Sequence, residues 1–339
     1  MTEGARRRIV VRVLLGIGLL IVLAVLGLAA LLGLWPVSGP DPSVTALPRT
    51  RSAVPVGHLV FDSDRSGNFE IYSMSADGKQ VRQLTKDAGF DSWWGRISPN
   101  RQHILFYRTP KGSHDTDYTK ATLWVMASDG SSITLLRGRH ANGWRQQGHA
   151  EWSPDGRSLV MFGGSRLSPQ IYVTSATGQN PVNVSRRGGT NLDPSYAPDG
   201  RRIVFIGCPK SYCKPHDYEV LTMPADGGKV MQVTKDRLRD HDPYYSPDGK
   251  RLAWLTEISG KPPVWDIRVA DIEGADVRRL IKDRAINSRP EWSRDGKRIY
   301  FHRLAPGAVK FQIFSVAADG TGLRRLAPQG ADVMEYPST

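Results

Sequence analysis

Glu151-Trp152-Ser153-Pro154-Asp155-Gly156-Arg157-Ser158-Leu159-Val160-Met161-Phe162 is the stretch whose reading decides the fold. An aromatic residue closes one apolar segment, Ser-Pro-Asp-Gly turns the chain, and a basic residue opens an alternating apolar segment. Asp and Gly accept the positive φ that tight hairpins need. The phrase returns as Tyr196-Ala197-Pro198-Asp199-Gly200-Arg201, Tyr245-Ser246-Pro247-Asp248-Gly249-Lys250 and Trp292-Ser293-Arg294-Asp295-Gly296-Lys297, with a worn copy at Ile97-Ser98-Pro99-Asn100-Arg101.

A second marker, an apolar segment followed by a Gly turn, begins at Ile71, Leu123, Ile171, Val220, Ile267 and Ile313. The intervals run from 46 to 52 residues, a period that points to a propeller or another repeat array. Each copy holds four short segments rich in Val, Ile, Tyr, Phe and Trp, joined by Asp-Gly turns, which predicts four antiparallel strands per repeat. The fold expected is all-β: a six-bladed propeller over residues 58–339. The first copy begins at His58, at what matches a second strand. Glu335-Tyr336-Pro337 matches the opening phrase, so the C-terminal strand is expected to complete the first blade and close the ring.

The N-terminal segment reads differently. Arg6, Arg7, Arg8 and Arg12 precede an uncharged apolar run from Val13 to Trp35, 23 residues long. A helix crossing a bilayer needs about 20. The expected organisation is a basic cytoplasmic tail over 1–12, a transmembrane signal-anchor helix over 13–35 and a Pro-rich linker over 36–57, with the propeller outside the cytoplasm. A cleaved signal peptide is the other reading of this run. Net charge is +13, and without residues 1–35 there remain 42 Lys and Arg against 32 Asp and Glu. In that compartment nucleic acid is not the expected partner. An envelope protein or an anionic wall polymer or polysaccharide is.

The Trp/Tyr-Ser-Pro-Asp-Gly-Lys/Arg phrase, followed by Ile71-Tyr72, Asp77-Gly78 and Leu84-Thr85, resembles the TolB-type β-propeller repeat over about residues 58–339. The resemblance implies six blades and an extracytoplasmic setting. TolB carries a small α/β domain before its propeller, and nothing here matches it. Some related propellers, the oligogalacturonate lyases, hold a metal in the channel with histidines.

Candidate site residues follow from the repeat. The position three before each strand-ending aromatic should lie near the mouth of the central channel. It holds Trp94, His149, Asp193, Asp242, Arg289 and Val333, with His241 beside Asp242. His149, Asp193, His241 and Asp242 are candidate ligands for a divalent metal. The competing reading is that these Asp-Pro aspartates cap loop backbone. No other cofactor is expected. Long loops, Tyr107–Ala121, Arg137–Gly148 and Gly207–Tyr218, share one face, where binding is expected. Arg239 and other basic loop residues, Arg137 among them, could attract an anion there, and Trp93, Trp94 and Trp144 could stack on a sugar or peptide. Cys208 and Cys213 are expected to form a disulfide. Cys208, Cys213 and His216 as zinc ligands would lack a fourth. The catalytic motifs Gly-x-Ser-x-Gly and His-Glu-x-x-His are absent. Two functions stand: a membrane-anchored binding or scaffolding propeller, and a metal-dependent uronate lyase using the channel.

Overall fold

The computed structural model describes residues 46–208, 213–259, 264–326 and 334–338. The expected anchor at 13–35 lies outside them, and no helix among the described residues is long and apolar enough to cross a membrane. The described residues are all-β, with single 3-10 turns at Ala141–Gly143 and Pro215–Asp217.

The strands come in runs of four, except for a first run of three that β24 completes. The first run is β1 (His58–Ser63), β2 (Glu70–Ser75) and β3 (Arg82–Gln83). The second is β4 (Phe90–Ile97), β5 (His103–Pro110), β6 (Thr122–Ala127) and β7 (Thr134–Arg137), and the third β8 (Gln146–Trp152), β9 (Ser158–Gly164), β10 (Pro169–Ser175) and β11 (Val182–Asn183). Next come β12 (Asn191–Tyr196), β13 (Arg202–Gly207), β14 (Glu219–Pro224) and β15 (Met231–Gln232). The run β16 (Arg239–Tyr245), β17 (Arg251–Ser259), β18 (Val264–Asp271) and β19 (Arg278–Arg279) follows. The last is β20 (Ile286–Trp292), β21 (Arg298–Leu304), β22 (Gln312–Ala317) and β23 (Arg324–Arg325), before β24 (Met334–Ser338).

β24 pairs antiparallel with β1, Asp62 opposite Glu335, so the first sheet runs β24-β1-β2-β3 and joins the two ends of the chain. The sheets differ from six separate blades. Four stand as four-stranded units, whereas β16–β23 form one eight-stranded sheet. A single parallel pair, Trp265 with Ile286, connects its halves. Those halves nevertheless pack face to face, burying Leu255 and Ile267 against Ile299 and Phe301. Leu59 and Phe61 pack likewise against Tyr300 and Ile313, across the closure between the last run and the first. Each such apolar side chain contributes about 1.5–3 kcal/mol when fully buried.

The Ser-Pro-Asp-Gly turn is a small hydrogen-bonded device. Ser153 Oγ donates to Asp155 Oδ1 at 2.6 Å, the Arg157 amide donates to the same oxygen at 3.0 Å, and the Ser158 amide donates to Ser153 Oγ at 2.9 Å. Gly156 takes φ +69°. In the worn copy Asn100 Oδ1 plays the Asp part, and Arg101 occupies the glycine position at φ +61°. Arg101 gains something for that strain: its guanidinium donates to the carbonyls of Val54, Pro55 and His58. The described part of the linker is thereby docked. Val54 is buried, Pro48 O lies 2.7 Å from His103 Nε2, and Ser52 Oγ donates to Asp129 at 3.0 Å. All these contacts lie on the face of the short turns.

Candidate binding site

The innermost strands shape the channel, and each described one beyond β24 carries the same irregularity. Pairing slips between Trp93 and Arg96, Gly148 and Glu151, Leu192 and Ser195, His241 and Tyr244, and Ser288 and Glu291. Inside each slip sits one residue in the left-handed region: Trp94, His149, Asp193, Asp242 or Arg289, at φ between +48° and +60°. A β-bulge re-aims a side chain that regular pleating would send elsewhere. These are the positions read from the repeat; Val333, the sixth, lies outside the described residues.

Four of them meet in one cluster. The His149 ring stacks on Trp94 with centroids 3.7 Å apart and planes 7° apart. His149 Nδ1 lies 2.5 Å from Asp193 Oδ1, and His241 Nδ1 lies 3.1 Å from Asp193 Oδ2. The Asp242 amide donates to Asp193 Oδ2 at 3.4 Å. On the other side of His149, Tyr118 Oη is 3.0 Å from Nε2 and donates to Asp115 Oδ1 at 2.7 Å. Above the cluster opens a cavity of about 230 Å³, lined by Tyr118, His241, Asp242, Trp265, Asn287 and Phe311 among others. Its walls are the starts of innermost strands and the loops after second strands, so it opens on the long-loop face.

Electrostatics knit the cluster together. Burial disfavours the His149 imidazolium, but the Asp193 and Asp115 carboxylates outweigh it and raise the group to about 10. Burial opposes the Asp193 carboxylate too, yet the two histidines hold it below the ordinary range. Asp242, buried beside that fixed negative charge, is pushed up to about 7. His149, Asp193 and Asp242 each place a ligand-capable atom within 4.8 Å of the others. One imidazole and two carboxylates are a reasonable donor set for a borderline or hard divalent ion. A metal would displace the His149 proton and the Asp193 contacts.

Two residues further along each innermost strand stands a second tier that the sequence reading did not assign to the channel. Glu151 Oε1 accepts from Arg96 at 2.7 Å, from Arg289 at 2.7 Å and from Tyr244 Oη at 3.0 Å. Arg289 lies with its guanidinium carbon 3.1 Å from the Trp94 ring centroid and is fully buried. Burial raises Glu151 and Glu291 to about 7 each. A second cavity of about 370 Å³ opens below, between Arg96, Glu151, Tyr244 and the Pro99, Pro198 and Pro247 turns. The described side chains therefore fill the middle of the channel and leave a basin at each end. The recurring Glu in Glu151-Trp152 and Glu291-Trp292 was the available signal for this tier. Asp115 and Tyr118 had only their place in a long loop.

Other expected site residues lie elsewhere. Trp93 is fully buried, stacked on Tyr107 with centroids 5.1 Å apart. Trp144 packs on Tyr172 and under the Arg137 guanidinium, and a Cβ at Gly163 would come within 2.3 Å of its ring. Neither indole has a face for a ligand, because both fill space in or between sheets. Arg137 is also fully buried, bonded to Gln147, Gly178 O and Asn142. Arg239 does reach the cavity rim, over Trp265 at 5.4 Å and 3.4 Å from Glu257. Cys208 and Cys213 are joined as a disulfide with Cα atoms 5.7 Å apart, which leaves no thiolate pair for zinc.

No protein-family model matches the chain. Over 161 residues, 46% of this chain, it is 29% identical to the Protein TolB homolog of Chlorobium luteolum, and the match spans 33% of that relative's length. The crystal structure of TolB from Acinetobacter baumannii superposes with a TM-score of 0.66 at 15% identity, over 83% of this chain and 66% of that one. The fold is that of a TolB-type β-propeller. An oligogalacturonate lyase from Vibrio parahaemolyticus shares it, with a TM-score of 0.53 at 15% identity, over 81% of this chain and 75% of the lyase. These identities speak for the fold alone. The matched stretch of this chain thus spans about a third of the length of that curated relative.

Proposed function

We propose that this TolB-type propeller is a binding and scaffolding module of the cell envelope, held at the membrane by residues 13–35 with its N-terminus cytoplasmic. In this reading it takes a segment of an envelope protein into the long-loop basin. We count the eight-stranded sheet as two blades, making six in the ring, because its halves pack face to face like separate blades. The observation that carries the binding role is the basin of about 230 Å³. It presents Tyr118, Trp265 and Phe311 as apolar walls, with His241 and Asp242 as polar contacts, the mixture that small concave sites use. Apolar walls beside charges of both signs, Asp115, Asp242 and Arg239, suit a protein segment. The Cys208–Cys213 disulfide supports an oxidising compartment.

A photo-crosslinker at Asn287, on the basin wall, tests this in cells. One protein adduct is expected, and it should fade when His241→Ala is added. Capture from Lys250 on the short-turn face, with none from Asn287, would overturn the reading.

The His149–Asp193–Asp242 cluster favours a second reading, a metal-dependent uronate lyase. There the imidazole and carboxylates would hold the ion, which would polarise the uronate carboxylate. Purified protein that binds no divalent metal and leaves uronate polymer uncut would end that reading.

A further inference from the structure

Away from the channel, a second acidic cluster sits where β14 meets β16 and β17. Glu219, Asp236 and Asp240 each place a ligand-capable oxygen within 4.8 Å of the others. Glu219 and Asp240 are buried, and Asp236 is exposed.

The repeat supplies its own comparison. The first residue of β2 is Glu70, whose Oε2 accepts the Thr85 hydroxyl at 2.5 Å while Oε1 accepts the Asp87 amide. In the third sheet Gln170 Oε1 accepts from Ser185 Oγ at 2.8 Å and from the Arg187 amide at 3.4 Å. In each case the hydroxyl of a residue fifteen positions later satisfies the side chain. Glu219 and Thr234 have the same spacing, and the Arg237 amide donates to Glu219 Oε1 at 3.2 Å. But Thr234 gives its hydroxyl hydrogen to Asp240 Oδ2 at 2.6 Å. Glu219 Oε2 is left buried with no hydrogen-bond partner among the described residues.

The diversion has a definite cause. At the position of Asp240, two before the left-handed residue, the innermost strand that follows Glu70 carries Ser92 and the one that follows Gln170 carries Asn191, both neutral. Among the described residues, only around Asp240 do two buried carboxyl groups compete for one threonine. Thr256 donates to Asp240 Oδ1 at 2.7 Å, and Arg268 pairs with Asp236 Oδ2 at 2.6 Å. One arginine faces the three carboxyl groups. An unpaired carboxylate oxygen in the interior is costly unless a counter-charge meets it.

We propose that Glu219, Asp236 and Asp240 form a binding site for a hard divalent cation, Ca²⁺, at the junction of β14 with β16 and β17. The donors are all oxygens. Ca²⁺ takes oxygen ligands at about 2.3–2.6 Å, so ligand atoms on opposite sides of one ion stand about 5 Å apart, in keeping with this spacing. Mg²⁺ demands a tighter octahedron and dehydrates reluctantly. Glu219 Oε2 supplies the free lone pairs, and exposed Asp236 leaves an entry path and room for water ligands.

The full-length chain, freed of metal, is tested with Ca²⁺ and with Mg²⁺ by calorimetric titration and thermal unfolding. Ca²⁺ should bind and raise the Tm, with Mg²⁺ weaker. Glu219→Gln should weaken Ca²⁺ binding by about tenfold or more and leave the metal-free protein as stable as the parent or more so. Asp193→Asn, in the channel cluster, should retain the Ca²⁺ response. Absence of Ca²⁺ binding by the parent would overturn the proposal. So would Ca²⁺ binding that survives Glu219→Gln and disappears in Asp193→Asn.

Discussion

His149 shows what a single residue does in this ring. It leaves regular strand geometry at φ +48°, stacks on Trp94 and meets Asp193 at 2.5 Å. Its folded value of about 10 exceeds the ordinary 6.5. The folded state therefore holds the proton more tightly, so this contribution is complete below pH 6.5 and is lost as pH rises through about 10. Asp193 has the opposite sign: its contribution is present above the ordinary carboxylate range and lost as pH falls. His149→Gln should flatten the alkaline fall in stability, measured as denaturant midpoints from pH 6.5 to 10; an unchanged slope would contradict the ion pair. The sequence exposed this position because the repeat works as a ruler. It could not show that Trp93 turns into the core while Trp94 enters the channel, since that depends on a bulge between Trp93 and Arg96. Adjacent residues normally point to opposite faces, but the ruler does not say which face a given indole takes.

The turn is the unit at the scale of elements. Its Ser, Asp and Gly are each accounted for by hydrogen bonds or backbone conformation, which is why the hairpins were legible from four letters. The worn copy was less so. Nothing local announces that Arg101 stands in a glycine position because its guanidinium holds three carbonyls of the preceding chain. Arg101→Ala keeps the strained φ and removes those bonds, so a loss of about 2 kcal/mol is expected in urea unfolding. A loss below about 0.5 kcal/mol would mean the docked segment from Val54 to His58 adds little. The second channel tier was hidden for a related reason. Glu151 reads as part of a turn phrase, and only the folded strand brings Arg96, Tyr244 and Arg289 around it.

At the scale of the whole molecule, the closure by β24 was readable because Glu335-Tyr336-Pro337 repeats the opening phrase. The joining of β18 to β20 was not, since it depends on one parallel pair with no sequence signature. The five left-handed residues around the channel have a consequence for substitution. In an ordinary strand glycine is worse than alanine, by roughly 0.5–1 kcal/mol. Where φ is positive, alanine retains the Cβ penalty and glycine removes it. The inner wall should therefore reverse the usual preference at Trp94, His149, Asp193, Asp242 and Arg289. Once the side chain is gone, glycine should leave the more stable protein, by about 1 kcal/mol. A denaturant comparison of Asp242→Gly with Asp242→Ala would show it, and alanine proving the better replacement would refute it. A random-substitution survey of this ring would then find its most glycine-tolerant strand positions where the channel is narrowest in chemistry, so that mutational tolerance alone would trace the channel wall.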